Sequence, residues 1–205
     1  MFEAAAGGDA AAIERLVRGG AAVNGKDQRG QTPLFYAATN GKVNPAAVKA
    51  LLRAGADVNV RDASGSTALL AALDPGGTTK NVAALLEGGA DVNIPDFGGA
   101  TPLMRASSWG ATDLARMLLD RGADSNVKER NGETALMLAA KFGHVETVRL
   151  LIERHADVTA KNNQGNTALE LAEKEHNASL QNESMRSLSA SWLAIVKLLS
   201  QVNRK

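Results

Sequence analysis

The chain has 205 residues, of which 44% are hydrophobic and 22% are charged, an ordinary composition for a globular protein with a packed core. Lys and Arg together number 23 and Asp and Glu number 22, which gives a formal net charge of +1. This balance does not provide the positive field that sequence-independent nucleic-acid binding requires, so nucleic acid is excluded as an expected partner.

The N-terminal residues Met1 to Ala4 lack a basic stretch followed by an apolar core, so no signal peptide is visible and a cytoplasmic location is favoured. Charged residues or glycines interrupt every apolar stretch, so we expect no membrane span. Cysteine is absent, which excludes disulfides, thiol catalysis and thiolate metal sites.

Two short phrases recur along the chain at a nearly constant interval. The first is Thr-Pro-Leu or Thr-Ala-Leu, which begins at Thr32, Thr67, Thr101, Thr134 and Thr167. The second is Gly-Ala-Asp-Val-Asn at 55–59 and 89–93, with variants at 20–24, 122–126 and 155–159. A period of roughly 33 residues with this threonine phrase is typical of a stacked repeat array.

Each repeat predicts two helices. The threonine is suited to cap the first helix, and Pro33 and Pro102 follow at the first helical position. The second helix has apolar residues three and four apart, and Gly55, Gly89 and Gly122 end it in a left-handed conformation. His155 takes the place of that glycine in one repeat, where we expect a slightly strained cap. The polar stretch that follows predicts a projecting turn or hairpin.

The spacing divides the chain into repeat units within one predicted domain. The units are a partial one at 1–26, full ones at 27–61, 62–95, 96–128 and 129–161, and a C-terminal one at 162–205 with an insertion near 178–192. Extra residues near 40–45 and 74–79 predict bulging loops. The insertion has two readings, a mobile decoration or a loop and helix folded over the end of the array, and Trp192 favours the ordered one.

Residues 131–152 follow the ankyrin consensus almost residue for residue, and the chain resembles the ankyrin-repeat family over essentially its whole length. This resemblance implies an all-α solenoid of stacked helix-turn-helix units with projecting β-hairpin-like loops. It also implies binding of a protein partner through the loop tips and the concave face of the inner helices. One departure is general: the family's histidine after Thr-Pro-Leu is absent, and we expect packing to replace its hydrogen bonds. The residues there are Phe35, Leu70, Met104, Met137 and Glu170.

The sequence indicates no catalytic or metal site and no cofactor. His144, His155 and His176 occupy non-equivalent repeat positions, and His144 fits a structural hydrogen-bonding role at a Gly-His turn. Gly76-Gly77 and Gly98-Gly99 lack the residues of a phosphate-binding loop and are interpreted as turns, while the repeated Asp-Val-Asn shapes the loops. An enzyme or small-molecule binder would need a convergent polar pocket, which the sequence does not indicate.

The candidate partner-binding residues lie at variable positions of the repeats. Trp109 and Phe142 are one repeat period apart and so occupy equivalent positions, and Phe97 and Arg105 are candidates to complete an aromatic and arginine cluster. The alternative is that the two rings pack on each other and fill space left by the missing histidines. The complete predicted set is Gln28, Arg29, Tyr36, Phe97, Arg105, Trp109, Arg130, Lys141 and Phe142.

Two functional hypotheses follow. The first is a non-enzymatic interaction module, monomeric on its own, that binds a protein partner. The second is a regulatory or targeting domain of a larger protein whose activity lies outside this chain. Many functions share one scaffold, so the repeat pattern does not name the partner.

Overall fold

The computed structural model of the protein describes residues 1–39, 44–73, 78–181 and 188–202. These residues form twelve α-helices and no strand. The helices are α1 (Phe2–Gly7), α2 (Ala10–Arg18), α3 (Pro33–Thr39), α4 (Pro45–Arg53), α5 (Ala68–Ala71), α6 (Thr79–Glu87), α7 (Pro102–Ser108), α8 (Thr112–Asp120), α9 (Ala135–Lys141), α10 (Val145–Glu153), α11 (Ala168–Gln181) and α12 (Ser189–Val202). The predicted bulges fall largely on residues 40–43 and 74–77, outside the described residues, and stay predictions.

The helices belong to two compact units, Met1–Phe97 and Gly98–Lys205. In the first unit α1, α3 and α5 pack side by side as inner helices, and α2, α4 and α6 form a layer of outer helices. In the second unit α7, α9 and α11 are the inner helices and α8, α10 and α12 the outer ones. Each unit therefore contains three helix pairs in two layers, and the assignment of the whole chain to a single domain stays a prediction.

Fully buried leucines hold the two layers of each unit together. Leu34 and Leu69 on inner helices and Leu51 and Leu85 on outer helices are at most 1% exposed in the first unit. Their burial on the apolar faces of neighbouring helices is the main favourable contribution to folding, at about 1.5–3 kcal/mol per side chain. On the outer helix α6, Val82, Leu85 and Leu86 lie three and four apart and are all buried, as the spacing predicted for the outer helices.

The threonines cap the inner helices as predicted. The hydroxyl of Thr67 accepts a hydrogen bond from the N–H of Leu70 at 3.2 Å, and that of Thr134 accepts one from Met137 at 3.3 Å. The other three repeats show the same bond. Each bond satisfies an N–H that the first helical turn leaves without a partner, and such caps contribute about 1 kcal/mol each.

Packing replaces the family histidine in four repeats, as expected, but the expectation is wrong for Glu170. Phe35, Leu70, Met104 and Met137 are all buried. Glu170 is exposed, and its carboxylate accepts hydrogen bonds from the backbone N–H of Thr167 at 2.6 Å and from its hydroxyl at 2.9 Å. These two bonds, in that order, lower the pKa of Glu170 below its ordinary value. The last inner helix thus begins with a reciprocal capping box.

Side chains at the start of the outer helices α4, α6, α10 and α12 tie their repeats to the one before. In the first unit the amide of Asn44 donates to the carbonyl of Gly8 at 2.6 Å, and that of Asn81 donates to Ala38 at 3.2 Å. These bonds join the chain at the end of one inner helix to the beginning of the next outer helix. They fix the register of neighbouring pairs, which nonpolar packing alone specifies less strictly.

His144 and Trp192 form the corresponding ties in the second unit. His144 Nε2 lies 3.0 Å from the carbonyl oxygen of Ser108, which can only accept, so the bond places the ring proton on Nε2. Trp192 Nε1 donates to the carbonyl of Lys141 at 3.1 Å. Ser108 and Lys141 are one repeat period apart, so Trp192 repeats the contact of His144 one unit later. The predicted structural role of His144 is confirmed.

The described ends of the insertion are helical. Residues 178–181 continue α11, which has 14 residues where α7 and α9 have seven, and residues 189–192 begin α12. Trp192 is 4% exposed and α12 packs on α10 and α11. These contacts favour the ordered reading for the described ends, while residues 182–187 lie outside the described part of the chain.

The asparagines of the second phrase connect successive loops. The N–H of Asp57 donates to Asn24 Oδ1, that of Asp91 to Asn59, and that of Asp157 to Asn126, each at 2.9 Å. The loop-shaping interpretation of this phrase is confirmed.

Across the described residues, no helix combines the length and the apolar character that a bilayer crossing demands.

The outer helices end in left-handed residues. Gly55, Gly89 and Gly122 have φ of 85°, 83° and 83°. His155 has φ 62° and is, within the described residues, the one non-glycine residue with positive φ. A side chain in this conformation brings Cβ close to the backbone and costs about 1–2 kcal/mol.

We therefore expect His155→Gly to raise the free energy of unfolding by up to about 1 kcal/mol, because glycine avoids the strain but loses more entropy on folding. The matched control is Gly122→Ala, where an added Cβ meets nothing within 4 Å, so only backbone strain acts. It should lower the same free energy by about 1 kcal/mol. Urea denaturation followed by circular dichroism measures both, and a destabilised His155→Gly would contradict the strain argument.

Trp192→Phe should lower the free energy of unfolding by about 1 kcal/mol, because the ring still packs but its donor is lost. Trp192→Ala should cost about 3–5 kcal/mol, because it also leaves a cavity. Denaturant titration measures both variants. Equal effects of the two substitutions would show that the hydrogen bond to Lys141, and not the buried ring, dominates.

Candidate interaction surface

Loop tips in both units are closed by a single acidic side chain. Asp27 Oδ1 accepts the N–H groups of Arg29 and Gln31 at 2.8 Å each. Glu129 Oε1 does the same for Asn131 and Glu133, at 2.8 and 3.2 Å. These bonds fix the backbone of the tip, so that the side chains between them project from a defined position.

Three of the predicted residues extend from these tips. Gln28, Arg29 and Arg130 are exposed. The backbone N–H of Arg130 donates to Gly98 at 2.9 Å, and its carbonyl accepts from the amide of Asn163 at 2.9 Å. The Arg130 backbone is therefore held on both sides while its side chain is accessible, which suits a residue of an interaction surface.

Tyr36 supports a loop tip from the inner helix α3. Its hydroxyl donates to Asp27 Oδ2 at 2.8 Å, and its half-buried ring meets Phe2 edge-on with centroids 5.5 Å apart. Partial desolvation alone raises the pKa of Asp27, but hydrogen bonds from Gln31, Tyr36 and Arg29 outweigh it and lower that pKa below its ordinary value of 3.8. Tyr36 thus has a structural role beside its predicted one.

Tyr36→Phe should raise the pKa of Asp27, because one hydrogen bond to the carboxylate is lost. Since the folded pKa is depressed, the stability contributed by Asp27 is present above its ordinary pKa and is lost as the pH falls through the folded value. Carboxyl ¹³C NMR titration measures the shift. Asp62 is the internal control: desolvation raises its pKa, but hydrogen bonds from Ser64, Gln31 and Ser66 outweigh it and lower the pKa, and this pKa should not move. An unchanged Asp27 would contradict the assigned cause.

Phe97 lies at the last loop tip of the first unit and is 62% exposed. The guanidinium of Arg61 lies over its ring, 5.0 Å from the centroid, and donates to Gly65 at 3.0 Å and Pro95 at 2.7 Å. The sequence did not indicate a role for Arg61, because its contact with Phe97 joins residues of two successive loop tips. Arg105 is half-buried on α7 of the second unit, and its clustering with Phe97 stays a prediction.

Trp109 and Phe142 are the C-terminal caps of α7 and α9 and are 53% and 50% exposed. His144 connects their positions, because it bonds the carbonyl of Ser108, next to Trp109, while its ring centroid lies 6.5 Å from that of Phe142. Both rings remain half exposed, whereas buried Met104 and Met137 occupy the places of the missing histidines. This arrangement does not support the space-filling alternative.

Lys141 precedes Phe142 and is held in place by an ion pair. Its Nζ lies 3.0 Å from Glu133 Oε1, 3.3 Å from Oε2 and 5.9 Å from the centroid of the Phe142 ring. The Glu133 side chain is 10% exposed and that of Lys141 36%. Lys141 therefore presents a fixed positive charge beside an exposed ring.

A polar cavity of about 390 Å³ lies beside Lys141 in the second unit. Its lining residues are Asn131, Glu133, Lys141, Asn162, Asn163, Gln164, Leu171, Lys174 and Glu175. The expectation that no convergent polar pocket exists is wrong. The sequence does not indicate this cavity, because two loop tips, α9 and α11 each contribute ordinary polar residues. Glu175 also lies beyond the seven-residue length of α7 and α9. Within the described chain, no three His, Cys, Asp or Glu are grouped to hold a metal ion.

Comparison with known proteins assigns the fold to a family. A family model described as ankyrin repeats (3 copies) matches residues 1–96, 42–129 and 103–188. The chain belongs to the ankyrin-repeat family. The predicted all-α ankyrin-repeat fold is thereby confirmed. Ankyrin repeats are generally protein–protein interaction modules, and the family is typically non-enzymatic. A search of curated proteins finds no match to the chain.

Proposed function

We propose that this ankyrin-repeat chain binds a protein partner through the inner-helix ends and loop tips, with Trp109 and Phe142 as its anchors. The observation that carries the proposal is their common setting: two half-exposed rings at equivalent helix ends, with His144 between their positions. Single exposed aromatics need no explanation, but neighbouring ones held by a structural side chain are typical of interfaces.

Each ring exposes enough surface to act as a hot spot of binding. An aromatic side chain has about 150–250 Å² of surface, so half of it corresponds to roughly 100 Å² per ring. Covering that area contributes about 2.5 kcal/mol per ring at about 25 cal/mol per Å². Two such rings supply enough to act as hot spots, while their neighbours exclude water.

The rigidity of the surface lowers the cost of binding. The Trp109 backbone N–H donates to Arg105, the Phe142 N–H donates to Leu138, and the His144 and Trp192 bonds hold both helix ends. A surface whose backbone is fixed before binding loses little conformational entropy in the complex. This arrangement supports a preformed interface more than a segment that folds on binding.

The other candidate residues are proposed as rim contacts, with one group in each unit. In the second unit Lys141 lies beside the Phe142 ring, and Arg130 and Arg105 belong to the same unit. Gln28, Arg29, Tyr36 and Phe97 are proposed to extend recognition on the loop tips of the first unit. Charges at such rims influence the rate and specificity of association more than its affinity. The hypothesis of a regulatory or targeting domain of a larger protein stays open.

Trp109→Ala combined with Phe142→Ala should reduce recovery of the partner more than tenfold, because each of the two residues is proposed as a hot spot. The measurement is affinity capture from a native lysate on the immobilised chain, quantified by mass spectrometry against the unmodified protein. Because both rings are half exposed, the melting temperature should fall by no more than about 2–4 °C.

The matched control is Leu16→Ala, which removes an exposed apolar side chain (37% exposed) from an outer helix of the first unit. It should retain the full set of captured proteins. If the double variant keeps those proteins but unfolds at a much lower temperature, the rings are structural and the proposal is wrong.

A further inference from the structure

The polar cavity of the second unit combines two carboxylates and two ammonium groups with four carboxamides and one apolar side chain. It lies wholly between the last two loop tips and the helices α9 and α11. Its volume of about 390 Å³ is in the range of ligand sites. Ligand sites are usually lined mostly by apolar side chains, whereas the lining of this cavity is mostly polar. The chemistry of its walls therefore indicates what kind of group it accepts.

Glu133 places a buried negative charge at the cavity. Its side chain is 10% exposed, and Lys141 Nζ bonds both carboxylate oxygens at 3.0 and 3.3 Å. A carboxylate offers about four acceptor positions, so a single ammonium leaves acceptor capacity unused. Burial makes the remaining capacity valuable to a second donor, because a buried charge gains more from each additional hydrogen bond.

Glu175 adds a second carboxylate from α11. It is half-buried, and within the described part of the chain its carboxylate forms neither a hydrogen bond nor an ion pair. Lys174 is exposed, so water satisfies its charge at little cost. The half-buried carboxylate gains more from a ligand than the hydrated ammonium does, which favours a cation over an anion.

The remaining walls suit a long cationic side chain attached to a peptide. Leu171, 5% exposed, offers an apolar surface for methylene groups. Asn131 and Asn163 are exposed at the loop tips, and each donates one amide hydrogen bond within the tips. Their remaining donors and acceptors can bond a peptide backbone. A guanidinium carries five donors in a planar fork and can bond several acceptors of the lining at once, whereas an ammonium acts as a point charge.

We propose that this cavity receives an arginine side chain of the protein partner, with Glu133 and Glu175 as its counter-charges. The inference rests on the proposed function, since it assumes a polypeptide ligand. In the free protein Lys141 is hydrogen-bonded to the Glu133 carboxylate, and it therefore competes with the incoming guanidinium. The cavity thus adds a charged contact that contributes to specificity, in addition to the aromatic anchors Trp109 and Phe142.

The first experiment is a ¹H–¹⁵N NMR titration of the full chain with three defined probes. They are Ac-Gly-Gly-Arg-Gly-Gly-NH2, the same peptide with Glu in place of Arg, and free L-arginine. Saturable shifts of the Asn131, Glu133 and Asn163 amides are expected with the arginine peptide, and binding at least threefold weaker with free arginine. Binding of the glutamate peptide alone, or no saturable shift, would overturn the proposal. Equal binding of free arginine would overturn its peptide-borne part.

The second experiment compares variants with the arginine peptide. Glu175→Gln should weaken binding about tenfold, as expected for loss of one charge-assisted hydrogen bond. Lys141→Met should tighten binding several-fold, because it removes the competitor for Glu133. Glu173→Gln is the matched control, since it removes a charge from the same helix outside the cavity, and it should not change binding. Weaker binding by Lys141→Met or an equal loss in Glu173→Gln would contradict the proposed site.

The two proposals fail separately. Loss of partner capture in Trp109→Ala, Phe142→Ala together with no response to the arginine peptide would overturn the cavity alone. A specific response to that peptide with unchanged capture by the double variant would overturn the aromatic surface alone.

Discussion

No helix pair among the described residues buries its apolar face by itself. The buried apolar residues lie on helices that pack against a neighbouring pair, and this stacking removes them from water. Everything else in each unit depends on this constraint. Apolar burial first brings the helices together. The helix caps, the Asn–Asp bonds between loops and the ties between repeats then act on them, the ties being those from Asn44, Asn81, His144 and Trp192. Their contribution is to choose one register among several that would bury similar area.

The repeat phrase predicts most of this framework because the phrase is local. Threonine caps its own helix, and Gly55, Gly89 and Gly122 have the left-handed conformations that the position requires. The ties between repeats are different, since they join residues far apart in the chain whose types vary: asparagine, histidine and tryptophan. A shared role filled by unlike side chains leaves no recurring letter in the sequence. For this reason the match of Trp192 to His144 required coordinates.

Only part of the candidate surface could be predicted from the sequence, namely the part that follows the repeat period. Trp109 and Phe142 could be recognised because the period assigns them equivalent positions, and their exposure follows from the ends of α7 and α9. Exposure alone did not reveal that Phe97 lies under Arg61 or that Tyr36 bonds Asp27. The cavity was not predicted, because its polar residues are divided among two loop tips and two helices. Polar residues in loops are so common that only their convergence is informative, and convergence is a property of the fold.

The length of α11 has a consequence for the cooperativity of the molecule. The helix that supplies Glu175 to the cavity packs on α9, which supplies Lys141. Repeat arrays open locally by separating neighbouring helix pairs, and such an opening would take the cavity apart. A ligand in the cavity binds only the packed arrangement of these two helices, and so stabilises it by mass action. Amide exchange in α11 would then slow as the cavity is filled, and this helix would report on a contact made at the loop tips.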